Sequence, residues 1–362
     1  MTPPARNLGL ATALSVLLSG CAQTGPPLPP SLELPKPPSD LRVARKGNRV
    51  TLTWTEPTRT TDRQSVRYLG PTRICRSLEA EMKECANPVG QLPPPPRPTQ
   101  PSRAMQAEPQ VFADTLPPPI QEQNPTGDIT YAVEVLNRDG RSAGLSNRVR
   151  VPAVPTLPPP PDFHAELAAS AVEFTWTSAG ETSALPGVQH RYRIYRRDES
   201  TGKEAIASEV PIGEAGPMQT QYSSFEWEKT YLYRITPVSI LTRPGGEAQV
   251  EGEDSPTVRI VAHDTFPPAV PAGLQAVYSG EGQKPFVDLI WAPVTDADLA
   301  GYNVYRREAD SAPVKLNSEV VKSPSYRDSA VASGKTYYYS VSAVDVRSNE
   351  STRSDETGET VP

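Results

Sequence analysis

Three times along the chain a short run alternates apolar and polar side chains and closes on a tryptophan: Val50-Thr-Leu-Thr-Trp54, Val172-Glu-Phe-Thr-Trp176 and Val287-Asp-Leu-Ile-Trp291. In an extended strand successive side chains point to opposite faces, so Val50, Leu52 and Trp54 share one face, as do Val172, Phe174 and Trp176. This pattern predicts half-buried antiparallel strands, each tryptophan filling a core of its own. A second run follows each of them, Tyr192-Arg-Ile-Tyr-Arg196 and Tyr302-Asn-Val-Tyr-Arg306, with Thr72-Arg-Ile-Cys-Arg76 as the degenerate first copy. A third is rich in tyrosine: Ile129-Thr-Tyr-Ala-Val133, Tyr231-Leu-Tyr-Arg-Ile235 and Tyr337-Tyr-Tyr-Ser-Val341. Three segments repeated three times in one order predict three similar units.

Proline marks what lies between them. The span from second to third run is longest in the first repeat, where Pro93-Pro-Pro-Pro-Arg-Pro98 and Pro117-Pro-Pro119 signal an irregular insertion at about residues 86–126. The reading divides the chain into modules at 39–152, 163–262 and 263–362, with a linker at 153–162. Ahead of them, residues 21–38 form a proline-rich tether; polyproline II at about 3.1 Å per residue would hold the first module up to ~50 Å away from its start. With 43 prolines, 23 glycines and 36% hydrophobic residues in 362, many short strands fit better than long helices. The expected fold class is therefore all-β. A formal charge of -6 and the lack of a dense Lys/Arg stripe interleaved with aromatics argue against nucleic acid as a partner.

The N-terminus carries Arg6 and then an apolar run of eleven residues, Leu8 to Leu18, too short to span a bilayer but suited to a signal peptide. It ends in Leu18-Ser19-Gly20-Cys21, which resembles a bacterial lipobox. The resemblance implies removal of residues 1–20, a diacylglyceryl group on the Cys21 sulfur and an acyl group on the new amine. More than one chain is what stable anchoring needs. An ordinary cleaved signal with a chance cysteine, or an uncleaved anchor, stays open. Ala22, where an aspartate would resemble an inner-membrane retention signal, leans the expectation towards the outer membrane.

The three strand segments resemble strands B, C and F of fibronectin type III domains, a likeness that covers nearly everything after residue 38. Asp296-Ala-Asp-Leu-Ala-Gly-Tyr302, Ala343-Val-Asp345 and Asn349-Glu-Ser351 resemble bacterial members in particular. The resemblance implies tandem β-sandwiches with Tyr231 and Tyr337 at the tyrosine corner, where a phenol closes onto nearby backbone; the first module has Ile129 there. An immunoglobulin domain would add cysteines bridging B and F, and none stand at those positions.

Little in the sequence points to catalysis. Export favours pairing Cys75 with Cys85, against two free or buried thiols, and a turn near Ala80 would set them directly opposite each other in a hairpin. Gly140-Arg-Ser-Ala-Gly144 matches a nucleophile elbow formally but reads better as a hairpin turn. His164, His190 and His263 lack metal-ligand spacing, Asp296 and Asp298 read as solvated turn carboxylates, and Asn349-Glu-Ser351 reads as a turn. On the outward sheet faces, Tyr195 and Arg197, joined by Arg193 and Arg234, and Tyr305, Arg307 and Tyr338, form a candidate surface for a glycan or a protein partner, set against plain cross-strand pairing. The expectation is a non-catalytic binding or spacer lipoprotein of the cell envelope with no cofactor and no metal. Its partners are the membrane through the lipid and an envelope protein or glycan. Two alternatives stand beside it: an accessory of envelope assembly, since Cys21-Ala-Gln-Thr-Gly-Pro26 is similar to the start of the small lipoprotein associated with the lipopolysaccharide translocon, and a carbohydrate-binding partner of a glycan-degrading system.

Overall fold

The computed structural model describes residues 32–94, 107–181, 185–280 and 282–362. The signal segment, Cys21, the first part of the tether and the centre of the first insertion lie outside the described residues.

The first repeat supplies β1 (Arg42–Lys46), β2 (Arg49–Thr55), β3 (Thr72–Ser77), β4 (Pro88–Leu92), β5 (Pro109–Thr115), the short helix α1 (Pro118–Gln123), β6 (Asp128–Val135) and β7 (Val149–Pro152). The second supplies β8 (His164–Leu167), β9 (Val172–Ser178), β10 (Val188–Asp198), β11 (Glu204–Pro211), β12 (Gly216–Tyr222), β13 (Thr230–Arg243), β14 (Gly246–Glu251) and β15 (Val258–Val261). The third supplies β16 (Gln275–Ser279), β17 (Phe286–Ile290), β18 (Leu299–Glu308), β19 (Val314–Lys315), β20 (Ser325–Asp328), β21 (Lys335–Asp345) and β22 (Thr357–Val361). The protein is all-β, built of tandem fibronectin type III-like sandwiches.

In the third repeat the sheet β16-β17-β20 faces the sheet β19-β18-β21-β22. Val287, Leu289 and Trp291 from one, and Tyr302, Val304, Tyr339 and Val341 from the other, fill the space between. The second repeat does the same: Val172, Phe174 and Trp176 of β9 meet Tyr192, Ile194, Tyr233 and Ile235 of β10 and β13. The alternation seen in sequence is the cause, because β9 reads buried-exposed along its whole length. In these two repeats the core tryptophan meets the strand C tyrosine edge-on, Trp176 with Tyr192 at 5.6 Å and Trp291 with Tyr302 at 5.2 Å. The tyrosine corners close as well: the Glu226 amide donates to the Tyr231 hydroxyl at 3.1 Å, and the Ala332 amide to that of Tyr337 at 3.0 Å. In the first repeat Leu52, Trp54, Ile74, Tyr131 and Val133 are buried, and Ile129 takes the corner position as a fully buried apolar residue.

By internal contact the chain divides into two compact units. One comprises the described residues up to Arg42 with 52–112 and 130–149; the other comprises 43–51, 113–129 and 150–362. Inside the second unit, β13 and β14 extend as a long hairpin, and β14 pairs in parallel with β1 at Lys46↔Glu251. The Gly47 amide donates to Glu251 O at 2.6 Å, and the Lys46 ammonium meets Asp254 at 2.6 Å. Arg243 binds Asp128 at 2.9 Å, and the Ala153 amide donates to Gly127 O at 2.8 Å. These bonds are why segments of the first repeat join the body of the second.

Candidate functional site

Strand alternation sends Ile194 into the core and Tyr195 outward on β10. There the Tyr195 ring lies under the Arg234 guanidinium at 4.3 Å, and its hydroxyl donates to Glu251. Burial, followed by the Glu251 carboxylate, pushes that phenol above its usual range. Arg193 binds Glu209 at 2.5 Å, Glu251 at 3.1 Å and Gln249 at 3.0 Å, while Arg234 binds Glu204 and, at 3.1 Å, Asp254. Arg197 stays exposed, opposite Glu204 in the ladder.

Tyr305, Arg307 and Tyr338 come together on another sheet. Arg307 sits over the Tyr338 ring at 4.3 Å, its register partner, and binds Glu356 at 2.8 and 2.6 Å. Tyr305 donates to Glu350 at 2.5 Å and carries Arg353 over its ring at 5.2 Å. The five residues thus fall into two groups on two sheets. Each ring is capped by a guanidinium, and most guanidiniums by a carboxylate, the arrangement of cross-strand pairs that rigidify a sheet.

Cys75 and Cys85 are bridged. They do not face each other across a ladder as the sequence suggested: Cys75 pairs with Pro88 of β4 beyond a bulge after Ile74, and Cys85 lies in the preceding loop. The loop bends into an open bowl of about 660 Å³ with Arg76, Glu79, Lys83 and Glu84 on its wall. Arg148 holds it from below, donating to Met82 O at 3.0 and 2.8 Å.

One cluster escaped the sequence reading. Asp264, Asp298 and Asp345 each place a carboxylate oxygen within 4.8 Å of the others, a spacing at which three carboxylates could hold a divalent cation. Two of them are already engaged. Asp264 accepts from Arg347 at 3.1 Å, and Asp345 accepts from the amides of Arg347 and Asn349, both at 2.8 Å, and from the Asn349 side chain at 2.8 Å. Asp296, grouped with Asp298 in the sequence, instead accepts from the Ala269 amide at 2.7 Å. Asp264 and Asp345 lie far apart along the chain, so no local spacing announced them; the Ala343-Val-Asp345 motif was the available signal. His190 leans on Glu181 at 3.3 Å and His263 on Glu228 at 2.9 Å, each in its own place.

No family model matches the chain. It is similar to an amylopullulanase of Thermoanaerobacterium saccharolyticum, 35% identical over 94 residues, which cover 26% of this chain and 7% of that protein. The chain therefore spans less than a tenth of the length of this curated relative. Among solved structures it is similar to a Fn3-like protein from Clostridium thermocellum, 32% identical, covering 27% of this chain and 96% of that one with a TM-score of 0.23. It is also similar to the FN1–FN3 domains of chicken CNTN1, 15% identical, covering 91% of this chain and 100% of that one with a TM-score of 0.27.

Proposed function

We propose that this protein is a membrane-anchored lipoprotein of the bacterial cell envelope whose fibronectin type III-like modules bind or space partners without catalysing a reaction. The observation that carries this is a combination: Leu18-Ser19-Gly20-Cys21 ends a short apolar run, a proline-rich stretch follows, and sandwiches follow that, with outward tyrosines and arginines engaged in holding their own sheets. No helix among the described residues is long and apolar enough to cross a membrane, so in this reading the lipid on Cys21 supplies the attachment. Fractionation of a bacterial host tests it: the wild type is expected with the membranes and a Cys21→Ser variant in the soluble fraction or unprocessed. A wild type found soluble would overturn the anchor.

A second reading, a glycan-directed binding partner, is favoured by the 94-residue likeness to a protein named amylopullulanase. Retention of the protein on insoluble α-glucan, reversed by soluble pullulan, would support it.

A further inference from the structure

At one end of the first sandwich, cations gather on the side from which the chain leads back towards Cys21. Residues 32–38 run along the loop between β2 and β3: the Lys36 amide donates to Arg59 O at 2.9 Å and the Thr61 amide to Leu34 O at 2.9 Å. The loop after β6 meets the same segment, the Asn137 side chain donating to Leu32 O at 2.9 Å and the Asn147 amide to Pro38 O at 3.2 Å. Lys36, Arg59, Arg63, Arg67, Arg138 and Arg141 are carried on these three pieces of chain.

Four acidic residues share them, Glu33, Glu56, Asp62 and Asp139, of which Glu56 is buried. Asp139 pairs with Arg138 at 3.6 Å and Asp62 accepts from the Thr60 hydroxyl. Among the described residues, Lys36, Arg59, Arg63, Arg67 and Arg141 meet no carboxylate at ion-pair distance. This pole is therefore positive on a chain whose formal charge is -6. It also exposes two large apolar side chains, Leu32 at 55% and Tyr68 at 44%.

We propose that this pole is a docking surface for an anionic membrane, its cations on lipid phosphates and Tyr68 and Leu32 at headgroup level. Cations act on such a surface only within about a Debye length, ~8 Å at physiological salt, so they must be held close to it. Interfacial tyrosine suits that depth because one end of its ring is apolar and the other polar. The surface rests on the anchored reading only for its placement: ten residues separate Cys21 from Leu32, a reach of at most about 40 Å over eleven Cα steps. Outside the pole the chain is net negative, which disfavours a polyanion long enough to reach beyond it.

The test uses the full chain with Cys21→Ser, which cannot be acylated, sedimented with vesicles of phosphatidylcholine alone or mixed with phosphatidylglycerol. A several-fold larger bound fraction on the anionic vesicles, lost in high salt, is expected. The variant R63E/R67E/R141E removes no side-chain bond among the described residues, so it should fold and lose this binding. R63K/R67K/R141K should keep it, as should K203E/K315E on the other repeats. Equal partition onto both vesicles, or indifference to the charge reversal, would overturn the surface. So would full competition by millimolar inorganic phosphate, which marks a phosphate site, or binding to a duplex oligonucleotide without binding to vesicles. Because no lipid is attached in this experiment, failure of acylation at Cys21 with vesicle binding intact would sink the anchored reading and leave the surface standing.

Discussion

Single residues in the strand C signature do different work in different repeats. Arg306 lies over the Tyr337 ring at 4.9 Å and donates to Asp328 at 2.7 Å and to Ala330 O at 2.8 Å. Asp328 is 3% exposed and also accepts from the Tyr339 hydroxyl at 3.0 Å. Arg306→Leu leaves that buried carboxylate with too few donors, and chemical denaturation should show a loss of about 2–4 kcal/mol. Its counterpart Arg196 lies over Tyr231 at 5.0 Å and donates to Ser224 O at 2.6 Å, so Arg196→Leu should cost only about 1 kcal/mol. Asp198 turns the strand end: its Oδ1 accepts from the Ser200 hydroxyl at 2.6 Å and from the amides of Ser200 and Thr201 at 2.9 and 3.0 Å. The Ser200 hydroxyl first, then the Thr201 amide, hold its carboxyl down at about 2. A depressed folded pKa gives stability that is present above the unfolded value, ~3.9, and lost as pH falls towards the folded one. Melting temperature should therefore drop between about pH 4 and pH 2, and less steeply in Asp198→Asn, when both are followed by circular dichroism.

At the scale of elements, the strands that build the cores were legible because their signal is local. Period-two alternation placed Leu52 and Phe174 inward, and both are fully buried. The same counting turned Tyr195 and Tyr305 outward and set Arg234 beside Tyr195, where it lies over the ring, yet could not show that Arg353, on a loop, would cover Tyr305. Nor does any local pattern encode the parallel pairing of β14 with β1, which joins Glu251 to Lys46 across the sequence. Gly301 shows a motif whose meaning only the backbone reveals. It sits in the irregularity between Leu299 and Gly301 at φ +154°, and a Cβ there would lie 2.6 Å from Val321 O. Gly301→Ala should thus destabilise the third repeat by about 1–3 kcal/mol in urea titrations, with no change in a Gly245→Ala control, where a Cβ meets nothing.

Across the whole molecule, the cysteines give a way to tell the two units apart. The Cys75–Cys85 bridge closes a ten-residue separation inside the first unit. Cys75→Ser with Cys85→Ser should lower that unit's stability by about 2–3 kcal/mol and leave the unfolding of residues 163–362 in place, as amide hydrogen exchange would resolve. The carboxylates Asp264, Asp298 and Asp345 illustrate what a sequence hides at this scale: they meet only because the chain before the third repeat packs beside its β21 turn. The charge asymmetry is similar, invisible in a total of -6 and apparent only once the loops around Lys36 and Arg59 are brought together. Whether lipid on Cys21 holds this array to a membrane, as proposed, is read from the intact mass of the protein recovered from bacterial membranes. A chain beginning at Cys21 and carrying a diacylglyceryl thioether and an amide-linked acyl chain is the expected result. A chain cleaved at another residue, or one bearing no lipid, would contradict the account.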